Sequence, residues 1–274
     1  MPARIPTLPN AVALAACLLA APVLAGPVPG QGTWEATLQA RDLTGDNVAD
    51  AFYDTVLDIT WLADANANLA NANLVPNVYL GGNLTWGAAM SWAANLSLGG
   101  YTDWRLPRML DTGTPGCNFS YAGGTDCGHN SLTKAGATVY SELAHLFYET
   151  LGNIGRFTTS GAERPGVMGT DYGLLNTGNF ANFDDLVSPT LATYYWVGQE
   201  YAPNTVFAWA FVPVDGGQFM FSKVDLSGQR LAIAVHDGDI GVAVTPVPEP
   251  EAWAMLLAGL GLLGLARRAR AARA

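Results

Sequence analysis

The chain is poor in charge, sulfur and imidazole, and each shortage excludes something. Its three histidines, His129, His145 and His236, are scattered with no His-Glu-x-x-His pair, so a helical zinc-protease site is ruled out. There is no Gly-x-Ser-x-Gly elbow and no phosphate loop. Ser131-Leu132-Thr133-Lys134 has the Ser-x-x-Lys spacing without its companion motifs. Basic residues number 13 against 23 acids, which argues against nucleic acid, because a phosphate binder needs a basic patch. Neither apolar run near the ends reaches the roughly 20 residues of a full membrane span. What is plentiful is apolar surface, 50% of 274 residues, enough for a core and too much for a disordered polyelectrolyte. The 31 Gly, 16 Pro and many Asn predict turns and short strands.

Both ends read as addresses. Residues 1–25 carry Arg4, an apolar run from Ala11 to Ala20, and Val23-Leu24-Ala25, which is the pattern of a signal peptide cut after Ala25 by signal peptidase. Leu14-Ala15-Ala16-Cys17 also fits a lipoprotein box, so lipidation of Cys17 is the alternative. At the other end, Val247-Pro248-Glu249-Pro250 is rigid and non-helical. An uncharged apolar run follows from Ala252 to Ala266, and Arg267, Arg268, Arg270 and Arg273 close the chain. As a helix the run reaches about 22 Å, short of the roughly 30 Å hydrocarbon core. The Arg cluster would stay cytoplasmic, so this end halts export while the rest lies outside.

This tripartite end, residues 246–274, resembles the PEP-CTERM sorting signal, with Pro248, Glu249 and Pro250 as the motif and Arg267, Arg268 and Arg270 in the membrane-stop cluster. The resemblance implies recognition by an exosortase, a membrane transpeptidase or protease of certain Gram-negative bacteria. It further implies tail removal and delivery to the cell surface or extracellular matrix. An ordinary C-terminal anchor is the alternative.

Without its ends the chain keeps eight basic and twenty-one acidic residues, a net charge near −13. Thr33 to Arg41 alternates as a half-buried strand, and Val56 to Leu62 is a second strand. Asn-rich Ala63 to Asn77 reads as a long surface loop. Trp86 to Leu96 predicts a helix with Thr85 as cap, Gly99-Gly100 as stop and a stripe of Trp86, Ala89, Met90, Ala93 and Leu96. Ser141 to Leu151 predicts a second helix with Leu143, Leu146, Phe147 and Leu151 inward. There His145, Glu142 and Glu149 read as a surface pairing. Strands follow at Tyr194–Gly198, Val206–Val214, Gln218–Val224, Arg230–Val235 and Ile240–Val244, with Asp215-Gly216-Gly217 as a hairpin turn. The near-continuous apolar run at Val206 to Val212 predicts a strand covered on both faces. Two helices and then an antiparallel meander give one α+β domain over residues 26–245.

The densest patch is Gly99-Gly100-Tyr101-Thr102-Asp103-Trp104-Arg105-Leu106-Pro107, a helix stop running into an extended segment. Arg105 is placed to pair with Asp103 or a buried carbonyl. Its Trp104, Arg105, Leu106 and Pro107 resemble the signature of a bacterial domain family related to the C-terminal domain of the collagen-like adhesin Lcl. Asp54 to Leu62 is similar to that family's opening strand, and Tyr195-Trp196-Val197-Gly198 through Ala208-Trp209 to its late element. The resemblance implies a C-type-lectin-like fold, two helices flanking a twisted antiparallel sheet, and some sugar-binding relatives. Ala202-Pro203-Asn204 lacks the carboxylate of calcium-dependent lectins, and a body near −13 opposes sulfated glycans. Stacking of a neutral sugar on Trp196, Tyr201 and Trp209 is the remaining expectation, with core packing as its alternative.

Cys117 and Cys127 alone remain after signal removal. In an oxidising compartment they predict one disulfide, with a metal or redox role as the alternative. Asp42-Leu43-Thr44-Gly45-Asp46-Asn47, Asp64-Ala65-Asn66-Ala67-Asn68 and Asp237-Gly238-Asp239 offer oxygen ligands, but the spacing of an EF-hand is missing, so they read as solvated turns with a calcium site as the alternative. No other cofactor is expected. The reading is an exported, exosortase-sorted, non-enzymatic surface or matrix protein that binds polysaccharide. The alternatives are a passive structural protein or an enzyme acting on matrix glycans, which would need two carboxylates among Asp184, Asp185, Glu200 and Asp215 facing each other across a cleft.

Overall fold

Gly32, with φ +73°, presses its backbone onto Thr150. A Cβ here would lie 2.2 Å from the Thr150 carbonyl oxygen. The Thr33 N–H donates to that same oxygen at 2.8 Å. The structure is a computed structural model describing residues 32–70, 83–114, 126–183, 186–188, 191–224 and 229–244, with Leu260. Trp34–Thr37 winds as one helical turn, α1, and strand β1 begins only at Leu38–Asp42. The predicted strand over Thr33 to Arg41 is thus half right. The anchor to Thr150 and the Thr37 N–H bond back to Thr33 O (2.9 Å) wind its first half.

In chain order follow β2 (Ala51–Asp54), β3 (Ile59–Leu62), α2 (Ala67–Ala70) and α3 (Trp86–Asn95). Then come the two-residue strands β4 (Gly128–His129), β5 (Lys134–Ala135) and β6 (Thr138–Val139). Helix α4 (Glu142–His145) runs on as a wider π-helical turn, Leu146–Thr150. The remaining strands are β7 (Leu186–Ser188), β8 (Leu191–Glu200), β9 (Phe207–Val212), β10 (Gly217–Ser222), β11 (Gln229–Leu231), β12 (Val235–Asp237) and β13 (Val242–Ala243). Thr85 caps α3 by accepting from Ala88 N at 3.3 Å, and Ser141 caps α4 by accepting from Ala144 N at 3.1 Å.

One large sheet has the order β12-β3-β2-β1-β13 and is antiparallel throughout; the second has the order β11-β8-β9-β10-β4, with β7 also on β8; β5 and β6 pair as a separate two-stranded sheet. The α+β class holds: the molecule is sheet-rich with few helices. The expectations of a single antiparallel sheet and a simple meander need correction. β11 pairs with β8 in parallel, and the chain then leaves for the first sheet, where β12 joins β3 and β13 joins β1. Asp215 and Gly216 do turn β9 into β10, in register from Gly217 opposite Val212 to Ser222 opposite Phe207.

The core lies on both faces of the central strands. Tyr195 and Val197 of β8, with Trp209 and Phe211 of β9, pack with Leu143, Leu146 and Phe147 of the α4 segment. Trp196, Ala208 and Ala210 point the other way, against Ala89, Trp92 and Ala93 of α3. That two-sided cover is why Val206 to Val212 reads as an unbroken apolar run. In α3 the buried stripe is Ala89, Trp92 and Ala93, so Trp92 replaces Trp86 and Met90, which stay half-buried.

The predicted Asn-rich surface loop is corrected where it is described. Ala65, Asn66, Ala67 and Asn68 are buried, and the Tyr195 hydroxyl donates to Asn66 Oδ1 at 3.1 Å. Residues 71–77 of that loop lie outside the described residues.

Candidate functional site

The Trp104–Pro107 segment stitches the two large sheets together. Arg105 exchanges both backbone hydrogen bonds with Val235 at 2.9 Å, and Pro107 O accepts from Gly198 N at 2.8 Å. Trp104 and Leu106 are buried on the α3 side. Arg105 projects oppositely, to Glu142 through two bonds of 2.8 Å and to Asp237 through Nε at 2.9 Å. Glu142 Oε2 also accepts from Arg108 N at 2.7 Å. Arg105 was expected to pair with Asp103 or a carbonyl; it does reach Leu106 O at 3.1 Å, but its carboxylates are Glu142 and Asp237. The expected surface pairing on α4 is corrected too, since Glu142 and His145 are both buried.

A second constellation has no counterpart in the sequence reading. The carboxyl groups of Asp111 and Asp126 are neighbours close enough to shift each other's titration. Asp111 Oδ2 also accepts from Ala202 N at 2.6 Å and from Trp209 Nε1 at 2.9 Å, and Oδ1 accepts from Gly113 N at 2.8 Å. Asp126 Oδ2 accepts from Thr112 N at 2.6 Å and Thr112 Oγ1 at 3.1 Å. Burial pushes Asp126 above the ordinary carboxylate range, opposed by Thr112 and reinforced by Asp111. Burial also acts on Asp111, but the donors from Ala202, Trp209 and Gly113 outweigh it and hold this group below the range. Fifteen positions separate them in sequence, so no local spacing announces the pair; the only hint is that Asp126 precedes Cys127. Cys127 is buried and disulfide-bonded, while Cys117 lies outside the described residues.

The aspartate turn after β1 brings Asp42, Asp46 and Asp50 together, with one oxygen from each within 4.8 Å of the others. Asp42 accepts from Thr44 N, Gly45 N and Asn47 N, and Asp50 Oδ2 from Leu43 N, Thr44 N and Thr44 Oγ1. Burial opposes the Asp42 charge, and these N–H donors overcome it to hold the carboxyl below its usual range. The donor set is all oxygen, which suits a hard divalent cation. The other two expected calcium segments are committed elsewhere. Asp64 Oδ1 accepts from Asn66 N and Asn182 Nδ2, while Asp237 pairs with Arg105 and Asp239 with Arg41.

Beside this turn lies a cleft of about 460 Å³. Phe52, Leu62, Leu96 and Leu98 form its apolar lining, and Asp50, Asp64, Ser97 and Asn179 supply polar groups. The size and mix are those of a small-ligand site.

The aromatics expected to stack on sugar are corrected. Trp196, Tyr201 and Trp209 are 0%, 6% and 1% exposed. Trp196 Nε1 donates to Leu84 O at 2.9 Å, and Tyr201 packs edge-on against Trp209. Trp196 and Trp209 sit on opposite faces of buried strands, Tyr201 lies just past β8 on the Trp209 side, and none offers its ring to solvent. The carboxylates of the enzyme alternative are not assembled among the described residues. Glu200 pairs with Lys223 at 2.6 Å, Asp215 caps its own turn through Gly217 N at 2.8 Å, and Asp184 and Asp185 lie outside the description.

Pro248, Glu249, Pro250, Arg267, Arg268, Arg270 and Cys17 also lie outside the described residues. Among those described, no helix is long and apolar enough to cross a membrane. A family model, the PEP-CTERM protein-sorting motif, matches residues 246–271. No curated protein matches the chain, and no solved structure matches it. The motif indicates an exported protein, sorted and processed by exosortase through a membrane-anchored intermediate.

Proposed function

We propose that the body is a non-enzymatic module of the Gram-negative cell surface or extracellular matrix, and that it binds polysaccharide. The observation that carries the binding reading is the cleft beside the aspartate turn, where an apolar floor meets Asp50, Asp64, Ser97 and Asn179. Acidic lining in a body near −13 favours neutral or amine-bearing sugars over sulfated ones. A C-type-lectin-like body of the Lcl C-terminal type is the finer family reading. Its support is the α+β class, the helices α3 and α4 on opposite faces of the central strands, and the stitching role of Trp104-Arg105-Leu106-Pro107.

A glycan array on the purified body tests this. Binding without turnover, lost when Ser97→Trp fills the cleft, supports the reading. Product release supports an enzyme on matrix glycans instead, and silence on every sugar leaves a passive structural protein. Calcium is the cation that Asp42, Asp46 and Asp50 would take. A melting temperature raised by calcium and restored by chelator supports it; identical melts dismiss it.

A further inference from the structure

The C-terminal end of the body is held in two different ways, with a sharp boundary between them. Upstream, Arg41 grips Asp239 through Nε (2.7 Å) and Nη2 (2.9 Å), and Ile240 packs partly buried against the α3-side core. Gly241 then turns the chain with φ +85°. A Cβ there would lie 2.8 Å from Asp42 O, so the turn closes directly onto β1. Downstream the hold is slight. β13 has two residues, Val242 and Ala243, both exposed, with Val242 at 70%. They pair with Asp42 and Arg41 at the open edge of the first sheet, and one further bond runs from Val244 N to Ala40 O at 3.3 Å. No side chain beyond Ile240 is buried up to Val244.

The sorting motif starts four residues past this point. Fully extended, Val244 to Pro248 spans about 14 Å at most. A peptide bound in extended form is held by its main-chain hydrogen bonds and by pockets for alternate side chains, and a stretch already paired in a sheet does not offer these. With β13 paired, Val242 and Ala243 are committed to β1. If the chain is free from Gly241 onward, the reach to Pro248 grows to about 25 Å.

We propose that β13 is a releasable tether: it unzips from β1 about Gly241 to deliver the Pro248-Glu249-Pro250 segment to the sorting enzyme, which therefore works against the β1–β13 edge of the folded body. Arg41–Asp239 is the stop that keeps unzipping from running into the core. The inference rests on processing at the sorting motif.

The test uses the full chain in an exosortase-bearing host, with loss of the tail followed by pulse-chase and mass spectrometry. Arg41→Cys with Ala243→Cys locks β13 to β1, and Arg41→Cys alone controls for the lost arginine. The locked protein is expected to be processed at least tenfold more slowly than the single variant. Eight Gly/Ser residues inserted after Val244 are expected to restore the locked protein to within twofold. Equal rates for locked and single variants overturn the proposal, as does a locked protein that the insertion fails to rescue. Should the cross-link not form, the insertion in the unmodified chain decides: processing several-fold faster supports the tether, and an unchanged rate overturns it. Glu249→Ala separates this from the underlying reading. If that variant is processed like the parent, the sorting assignment fails, whatever β13 does.

Discussion

Arg105 donates from its two terminal nitrogens to the two oxygens of Glu142, both at 2.8 Å, joining the Trp104–Pro107 segment to the first turn of α4. The side chains are 15% and 8% exposed, so little water screens the pair. Removing one partner strands the other charge in a poorly solvated place. Arg105→Ala is expected to cost about 3–5 kcal/mol in urea unfolding, and Glu142→Gln somewhat less, since the amide still accepts a hydrogen bond. A loss under about 1 kcal/mol for Arg105→Ala would place the pair with ordinary surface bridges.

The Asp111–Asp126 pair makes stability depend on pH in a stated direction. Asp126 has a folded pKa above its unfolded one, so its contribution is present in acid and lost as pH rises through that raised value. Asp111 behaves oppositely, contributing above the unfolded value near 4 and losing its contribution as pH falls through its lowered one. Asp126→Asn keeps a donor toward Asp111 but removes the titration. Its stability is expected to fall less than the parent's between pH 4 and neutrality. Parallel curves for the two proteins refute the raised titration of Asp126.

His145 and His129 set the acid side. Burial pushes both imidazoles below 6.5, with Asp54 and Glu149 opposing the shift at His145 and Asp215 opposing it at His129. Folding then excludes a proton that the unfolded chain binds, so stability is lost as pH falls below about 6.5, at up to about 1.4 kcal/mol per pH unit for each group. His145→Gln with His129→Gln is expected to flatten the urea midpoint between pH 6.5 and 5.

The disulfide at Cys127 closes the segment beside Asp126. With Cys117 as partner, the loop is short and its closure contributes roughly 2–3 kcal/mol. Cys127→Ser is expected to lose that amount, and a thiol titration of exported protein is expected to find no free thiol in the body. Two free thiols would sink the pairing.

Reading the sequence worked where the signal is local. Thr85 and Ser141 are caps whose hydroxyls meet a backbone N–H three residues on, so both main helices are legible. The Asp215-Gly216 turn is legible for the same reason. It failed where a distant partner decides. Thr150 O winds Trp34–Thr37, and the Tyr195 hydroxyl draws Asn66 inward. Trp196 and Trp209 alternate on one strand pair, and only a layer on each face buries both.

The sequence by itself determined the address of this protein. A motif, an apolar run and an Arg cluster stand in order along the chain, and that order is a property of the sequence and not of the fold. It also determined the acidity of the body, which is a sum over residues and independent of their arrangement. Only the tertiary structure decided which carboxylates meet. Asp111 with Asp126, Arg105 with Glu142 and Arg41 with Asp239 are 15, 37 and 198 positions apart. Their Coulomb and hydrogen-bond energies depend on distances that the folded sheets set and the spacing along the chain does not.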